Sequence, residues 1–247
     1  MEKLAEEAFT VDAQTIDSLN TLFRYEDLRR EGKAPSLTIM IEGASATGKS
    51  MIAIDAIELL AVTRIISTDT IRQLIRAASE ESMHPELFTH TYQAHKFRQN
   101  GSPNLPAVVR GYLAQCSLMR EQISRTVDRI IAEGVHSIIE GVHIEPGQYS
   151  RLSEGVLEIL IDPPEEIHRS MFLTKLSATG LRTVDDTSQR RLQEYRATRE
   201  IQDYLKTQAV SQNTRVLTLT DYASASAELA ETLMKKIKDL LQTAENK

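Results

Sequence analysis

The chain has 247 residues, a formal net charge of −6 and one cysteine, Cys116. This length corresponds to one large or two small domains, and it can bury a core without disulfides. A lone cysteine excludes an internal disulfide framework and cysteine-rich zinc sites. The acidic charge disfavours bulk binding to nucleic acid. The acidic N-terminus and the lack of a long apolar run predict a cytoplasmic protein with no membrane segment.

Apolar residues recur at helical spacing near the N-terminus, which predicts a helical arm over residues 1–36. The remainder, 37–247, is expected to form one domain. Its five short, β-rich apolar segments lie at 37–42, 63–67, 135–140, 156–161 and 215–219. Helical patterns separate them, with one helix expected to begin near Thr70. Strands that alternate with helices predict a parallel α/β sheet covered on both faces.

A match to the phosphate-binding pattern G-x-x-x-x-G-K-[ST] directly follows the first predicted strand and precedes a helical pattern. The glycines let the backbone turn successive N–H groups inward, and the helix adds the positive end of its dipole. Lys49 is expected to reach the transferred phosphoryl group, and the Ser50 hydroxyl to bind Mg²⁺. The pattern predicts ATP binding by nine consecutive residues: Gly43, Ala44, Ser45, Ala46, Thr47, Gly48, Lys49, Ser50 and Met51.

An acid follows the second predicted strand. Asp69 is expected at the carboxyl edge of the sheet, where ligands bind in parallel α/β folds, and could accept a proton from an attacking hydroxyl. Arg72 and Arg76 follow at helical spacing and suit an acceptor with two anionic groups. The alternatives are an ordinary helix N-cap for Asp69 and a solvated helix face for the arginines. The position one strand after the phosphate loop favours the functional interpretation.

The third predicted strand ends in Glu140, where P-loop proteins carry the acid that holds the hydration shell of Mg²⁺. Gly141 would allow a sharp turn there, and His143 is a candidate contact of the acceptor. We therefore predict a metal site formed by Ser50 and Glu140.

The charged helical region at about 164–208 is rich in arginine and predicts a lid over the site. Lid arginines neutralise charge on a transferred group and exclude water. Surface helices with ion pairs explain many of the same residues. The candidate lid arginines are Arg182, Arg191 and Arg199.

Taken together, these motifs resemble the archaeal-type 2-phosphoglycerate kinase family, over most of residues 37–210. The resemblance is carried by the phosphate loop and by later, more specific segments: Ser67–Arg72 with Arg76, Tyr92 in Thr-His-Thr-Tyr-Gln-Ala, Ile139–Gly147 and Arg199–Tyr204.

The resemblance implies the P-loop kinase fold, an α/β architecture with a five-stranded parallel sheet in the order 2-3-1-4-5, flanked by helices and a helical lid. It also implies ATP-dependent phosphorylation of the 3-hydroxyl of 2-phosphoglycerate, giving 2,3-bisphosphoglycerate, with Mg²⁺ as cofactor. Tyr92 would then contribute to the acceptor site. A small anionic acceptor agrees with Arg72 and Arg76, which the helical spacing alone places on one face of a helix.

Two other functions stay open at this point. The first is a kinase for a different hydroxylated acceptor, such as a polyol phosphate, a nucleoside or a polynucleotide end. The second is a regulatory protein that binds ATP and transfers nothing. The sequence lacks the Asn-Lys-x-Asp segment with which GTPases read guanine, and this favours a small-molecule kinase. A homodimer is an open expectation for the assembly.

Overall fold

The computed structural model of the protein describes residues 12–174 and 188–246. Its strands are β1 (Thr38–Glu42), β2 (Arg64–Ser67), β3 (Ser137–Gly141), β4 (Val156–Asp162) and β5 (Arg215–Thr218). Its α-helices are α1 (Ala13–Arg30), α2 (Lys49–Leu60), α3 (Thr68–Ala77), α4 (Ala107–Glu133), α5 (Glu165–Thr174), α6 (Ser188–Ser211) and α7 (Tyr222–Glu245). Two short 3₁₀ helices, Pro85–Phe88 and Thr91–Lys96, lie between α3 and α4.

The five strands form one parallel sheet in the order β2-β3-β1-β4-β5, which confirms the predicted fold class and strand order. β1 is central and every one of its residues is buried, as expected for a parallel strand covered on both faces. Its neighbours β3 and β4 come much later in the chain. The loops that leave the carboxyl ends of β1, β3 and β4 therefore share one edge of the sheet, where ligands bind in such folds.

Two apolar clusters secure this edge. Met40 and Ile139 of the sheet pack with Met119, Ile123 and Val127 of α4. The second cluster includes Ala44 of the phosphate loop and joins it to buried side chains of α4, β4 and α6: Tyr112, Cys116, Leu160, Ile201, Leu205 and Ala209. The second half of α6 therefore belongs to the core, although its sequence is highly polar.

Helix α3 begins at Thr68, two residues earlier than expected, because the Ser67 hydroxyl accepts a hydrogen bond from the Asp69 N–H and caps the helix. Asp69 consequently lies in the first turn of α3 and not in a loop before it. The N-cap role considered for Asp69 belongs to Ser67.

The described residues divide into two compact units. The larger unit is Ser36–Ala230 and contains the sheet. The smaller unit combines the residues up to Pro35 with those from Glu231 onward. Within it, the Tyr25 hydroxyl donates to the Pro35 carbonyl oxygen at 2.6 Å, and Arg24 pairs with Glu245 at 2.8 Å. The boundary between a 1–36 arm and a 37–247 domain stays a prediction.

Among residues 12–174 and 188–246, none of the helices is long and apolar enough to cross a membrane.

Candidate active site

The phosphate loop leaves β1 at Glu42 and enters α2 at Lys49. Gly48 is the N-cap of α2 with φ +91°, and a Cβ there would lie 2.5 Å from a methyl carbon of Leu219. The backbone angle therefore favours glycine, and a Cβ would also force the Leu219 side chain to shift. The N–H groups of Lys49 and Ser50, at the start of α2, have no earlier turn of the helix to accept from them. This arrangement favours an anion at the loop.

Lys49 turns back over the loop, and its ammonium group donates to the Ala44 carbonyl oxygen at 2.6 Å. The Thr47 hydroxyl donates to the same oxygen at 3.1 Å. Lys49 is 9% exposed, so its charge is concentrated within the loop. Ser50 and Met51 follow on the exposed first turn of α2.

The first turns of α3 form a second wall. Arg72 pairs with Asp69 across one helical turn at 3.3 Å and donates to the Thr89 carbonyl oxygen at 3.2 Å. The Arg72 side chain is 14% exposed, whereas Asp69 is 66% exposed. Burial lowers the pKa of Arg72, and its Nε has no hydrogen-bond partner among the described residues. Arg72 therefore offers an unused donor beside an accessible carboxylate.

Arg76 lies one turn further along α3. Its guanidinium is centred 4.8 Å from the ring centroid of Phe88, in a cation–π contact. This contact accounts for the cation without any ligand, so the predicted contact between Arg76 and the acceptor stays a prediction.

Aromatic rings connect the 3₁₀ segment with α5 and α6. Tyr92 stacks on His90 at 5.1 Å between ring centroids and meets the edge of Phe172 at 6.3 Å. Arg191 covers Phe172 at 4.7 Å and also donates to Glu194 at 3.2 Å. Burial, followed by the negative charge of Glu194, raises the pKa of Tyr92 to about 12.

The rings and α3 are adjacent, because Arg72 of α3 donates to the carbonyl oxygen of Thr89, the residue before His90, and we call the space that they border the crevice. Partial desolvation, followed by the positive charge of Arg72, lowers the pKa of His90, and the charges of Glu194, Arg191 and Asp69 act on His90 as well. Asp69, Arg72, Tyr92 and Arg191 are thus brought together, and their roles in binding and catalysis stay predictions. His90, which lies in the Thr-His-Thr-Tyr-Gln-Ala segment, and Glu194 were not predicted as site residues.

His143 lies at the base of this crevice, 1% exposed, with both ring nitrogens engaged. The Gln115 amide donates to the carbonyl oxygens of Glu86 and Thr89, so its oxygen faces His143 Nε2 at 3.1 Å. Nε2 therefore carries the proton, and Nδ1 accepts from the Thr68 hydroxyl at 3.4 Å. In this structure His143 contacts protein groups on both sides, and its predicted contact with the acceptor stays a prediction.

Burial is the main cause that lowers the pKa of His143 to about 3, and the charges of Arg72, Asp69 and Lys49 also act on it. Lys49 of the phosphate loop and the Asp69–Arg72 pair are therefore close enough to influence one buried ring. Gly141 allows this close packing, because a Cβ there would collide with Thr68.

Two acids occupy neighbouring strand ends but opposite faces of the sheet. Glu140 is half-buried and is in register with Ile41, whereas Glu42 is in register with Gly141. Glu42 is fully buried, and neither of its carboxylate oxygens has a hydrogen-bond partner within the part of the chain that the structure describes. Burial, followed by the charge of Glu158, raises the pKa of Glu42 well above its usual value. The sequence pattern does not single out Glu42, because it is the last residue of an apolar strand and belongs to no motif.

Of the remaining predicted residues, Arg199 donates to Asp203 at 2.8 Å and to the Pro163 carbonyl oxygen at 3.0 Å. The second bond links α6 to the residue that follows β4. Arg182 lies outside the described residues. Within 12–174 and 188–246, no cluster of three or more His, Cys, Asp or Glu side chains has the arrangement of a metal site.

The central glycine loop between β1 and α2, set in a parallel sheet of order β2-β3-β1-β4-β5, defines a P-loop protein of the kinase type. The chain is similar to proteins named 2-phosphoglycerate kinase from three archaea. It is 32% identical to that of Methanopyrus kandleri over 187 residues, which are 74% of this chain and 56% of that protein. For Methanococcus vannielii the identity is 25%, covering 90% and 74% of the two chains, and for Pyrococcus horikoshii 29%, covering 98% and 73%.

These relatives confirm the predicted resemblance to the archaeal 2-phosphoglycerate kinases. The chain spans little more than half the length of the M. kandleri protein. No family model matches the chain. A solved sugar kinase from Janibacter sp. is 18% identical with a TM-score of 0.45, covering 85% of this chain and 98% of that one. The fold assignment rests on the strand order and the loop rather than on that likeness.

Proposed function

We propose that the chain transfers the γ-phosphoryl group of ATP to the 3-hydroxyl of 2-phosphoglycerate and forms 2,3-bisphosphoglycerate. The observation that carries the proposal is the placement of the Lys49 loop after β1 and of the Asp69–Arg72 pair after β2, both at the carboxyl edge of one parallel sheet. It brings a phosphate-binding cation, an accessible carboxylate and a guanidinium with an unused donor to one edge of the sheet. The names of the archaeal relatives support this particular acceptor.

The phosphate loop would bind the donor. Residues 43–51 form the loop and the first turn of α2, where backbone N–H groups would face the phosphates, and Lys49 would exchange its contact with the Ala44 carbonyl for the phosphates. The exposed hydroxyl of Ser50 and the half-buried carboxylate of Glu140 are hard oxygen donors that fit Mg²⁺. When bound, the ion would neutralise phosphate charge.

The crevice beside α3 would bind the acceptor. An acceptor with a phosphate and a carboxylate calls for guanidinium groups, because each can bind an oxyanion through two parallel hydrogen bonds. Arg72 has an unpaired Nε for this purpose, and Arg76 and Tyr92 lie on the adjoining walls. Among the described lid candidates, Arg191 of α6 lies over the ring of Phe172, which contacts Tyr92.

In the transfer step, the acceptor oxygen forms a bond to the γ-phosphorus while the bond from that phosphorus to the β,γ-bridging oxygen breaks. The proton of the acceptor hydroxyl passes to the Asp69 carboxylate, which is exposed to the crevice. ADP leaves with the bridging oxygen. Lys49 stabilises the charge that develops on the transferred group.

The test is ADP release by the purified chain with ATP, Mg²⁺ and a panel of phosphorylated three- to six-carbon acceptors. We expect 2-phosphoglycerate to stimulate release above the acceptor-free rate and to yield 2,3-bisphosphoglycerate. Stimulation by a different acceptor alone would replace the named substrate but keep the kinase. ATP binding without stimulation by any acceptor would favour the regulatory alternative. A cytoplasmic location and a homodimer stay predictions.

A further inference from the structure

Two side chains outside the phosphate-binding pattern hold the loop from behind. Gln202 of α6 accepts a hydrogen bond from the Ala44 N–H at 2.9 Å, and His168 of α5 lies with Nε2 2.9 Å from the Ser45 carbonyl oxygen. Both side chains are fully buried. They come from the two helices on either side of residues 175–187, so both helices are bonded directly to the loop backbone.

The amide of Gln202 has one orientation that satisfies its neighbours. A backbone N–H only donates, so the amide oxygen must face Ala44. The NH₂ group then faces two acceptors, the Ile161 carbonyl oxygen and Asp162 Oδ1, each at 3.0 Å. Gln202 thus joins the phosphate loop to the carboxyl end of β4 through three hydrogen bonds.

His168 sets the direction of one peptide group within the loop. The Ser45 carbonyl only accepts, so Nε2 of His168 carries the proton and donates it. In a trans peptide the C=O and N–H groups are antiparallel, so the Ala46 N–H points away from His168. Burial is the main cause that lowers the pKa of His168, which keeps the ring neutral at neutral pH.

The loop depends on external contacts because its backbone is not in a relaxed conformation. Ala46 has φ +63°, in the left-handed region that a residue with a Cβ rarely adopts. Such a conformation persists only where surrounding groups enforce it. The contact of His168 lies on the peptide group that joins Ser45 to Ala46, and the contact of Gln202 lies on the peptide group between Gly43 and Ala44.

We propose that Gln202 and His168 are positioning residues that keep the phosphate loop in its nucleotide-binding shape. The proposal goes beyond the proposed function and rests on it only in that the loop binds a nucleotide. Neither residue is expected to touch the nucleotide, so their loss should weaken donor binding while leaving the Michaelis constant for the acceptor unchanged.

The first experiment titrates the full chain with a fluorescent ADP. We expect Gln202→Leu to raise the dissociation constant about tenfold, which corresponds to about 1.4 kcal/mol. Gln193→Leu is the matched control, because Gln193 is exposed on the same helix, and it should bind as the wild type does. Thermal melting of each variant identifies the fraction that is folded, so the dissociation constant refers to folded protein.

Gln202→Glu is a second variant, whose side chain has the same shape as that of the wild-type glutamine. Its carboxylate keeps the acceptor for Ala44 but loses the donor and faces the Asp162 carboxylate. Protonation restores the donor, so the ratio of its dissociation constant to that of the wild type should fall as the pH is lowered from 8 to 5.5. Gln193→Glu should show a constant ratio.

His168→Phe keeps the edge-on ring contact with Tyr195, at 5.4 Å between centroids, and removes only the donor. It should weaken ADP binding by several-fold. Wild type that fails to bind ADP would overturn the proposed function. Wild type that binds, together with folded Gln202 and His168 variants that bind equally well, would overturn only the positioning role.

Discussion

At the scale of single residues, the candidate site combines two buried cations with one exposed carboxylate. Lys49 is almost buried, and Arg72 is mostly so, whereas Asp69 is two-thirds exposed. Electrostatic interactions strengthen where water is excluded, so the two cations act on a bound anion more strongly than surface groups would. The exposed Asp69 carboxylate is accessible to an acceptor hydroxyl and could take its proton.

Lys49→Ala should abolish phosphoryl transfer, with kcat lowered by about a thousandfold or more, because the variant loses the cation that stabilises the transferred group. Initial rates of ADP release with saturating ATP measure the effect. Lys33→Ala, at an exposed lysine, is the control and should retain the wild-type rate. A Lys49 variant with more than a tenth of that rate would contradict the assignment.

Asp69→Asn should lower kcat by a factor of about 100 to 10,000 while the affinity for ATP stays unchanged, because the amide cannot accept the hydroxyl proton. Single-turnover rates and a nucleotide titration separate these two effects. Asp128→Asn, on the exposed face of α4, is the control. Retained kcat in the Asp69 variant would remove this residue from the role of general base.

Glu42 gives a prediction about stability. Since its pKa is raised in the folded protein, the folded state holds a proton that the unfolded state releases above its ordinary pKa, near 4.5. The stability associated with Glu42 is therefore complete below that pH and falls as the pH rises towards the folded-state value. Glu42→Gln cannot titrate and should lose less stability between pH 5 and pH 8.

Melting temperatures across this pH range measure the difference. The wild type should lose at least about 2 °C more than Glu42→Gln, the change expected for roughly 1 kcal/mol in a chain of this size. Glu200→Gln, at an exposed position of α6, should follow the wild type. Parallel pH profiles for the wild type and Glu42→Gln would show that Glu42 is not the group responsible.

At the scale of elements, the regular features could be predicted and the long-range contacts could not. The alternation of short apolar runs with helical patterns predicts the strands, and the family resemblance implies their order in the sheet. Gln202 and Ala44 are 158 positions apart, and His168 and Ser45 are 123 apart. A buried glutamine in a polar helix has the same local pattern as an exposed one. Only the folded structure distinguishes them.

The hydrogen bonds of Gln115 join α4 to the 3₁₀ segment and, through His143, to the end of β3. Gln115→Leu should cost about 1–3 kcal/mol, because the His143 N–H and the Glu86 carbonyl oxygen lose the hydrogen bonds that Gln115 makes to them, while the Thr89 carbonyl oxygen keeps only its bond from Arg72. Urea unfolding measures this loss. Gln122→Leu, exposed on the same helix, should change stability by less than about 0.5 kcal/mol. Equal stability of the two variants would contradict the network.

At the scale of the whole molecule, the net charge of −6 opposes the local charge of the site. Six charges at about 20 Å in water repel a unit anion by about 1 kcal/mol before salt screens them, whereas one guanidinium at 4 Å attracts it by about 4 kcal/mol at an effective dielectric of 20. The local attraction wins. Salt weakens the exposed part of that attraction over a Debye length of about 10 Å.

The Michaelis constant for an anionic acceptor should therefore rise several-fold as KCl is increased from about 0.05 M to 0.5 M. Arg72→Met should raise this constant at every salt concentration and reduce its dependence on salt, because the variant lacks a guanidinium beside the bound anion. Arg125→Met, at an exposed position on α4, leaves the crevice unchanged and is the matched control. A Michaelis constant that falls with salt would mean that the overall negative charge, and not the arginines of the site, governs how the acceptor arrives.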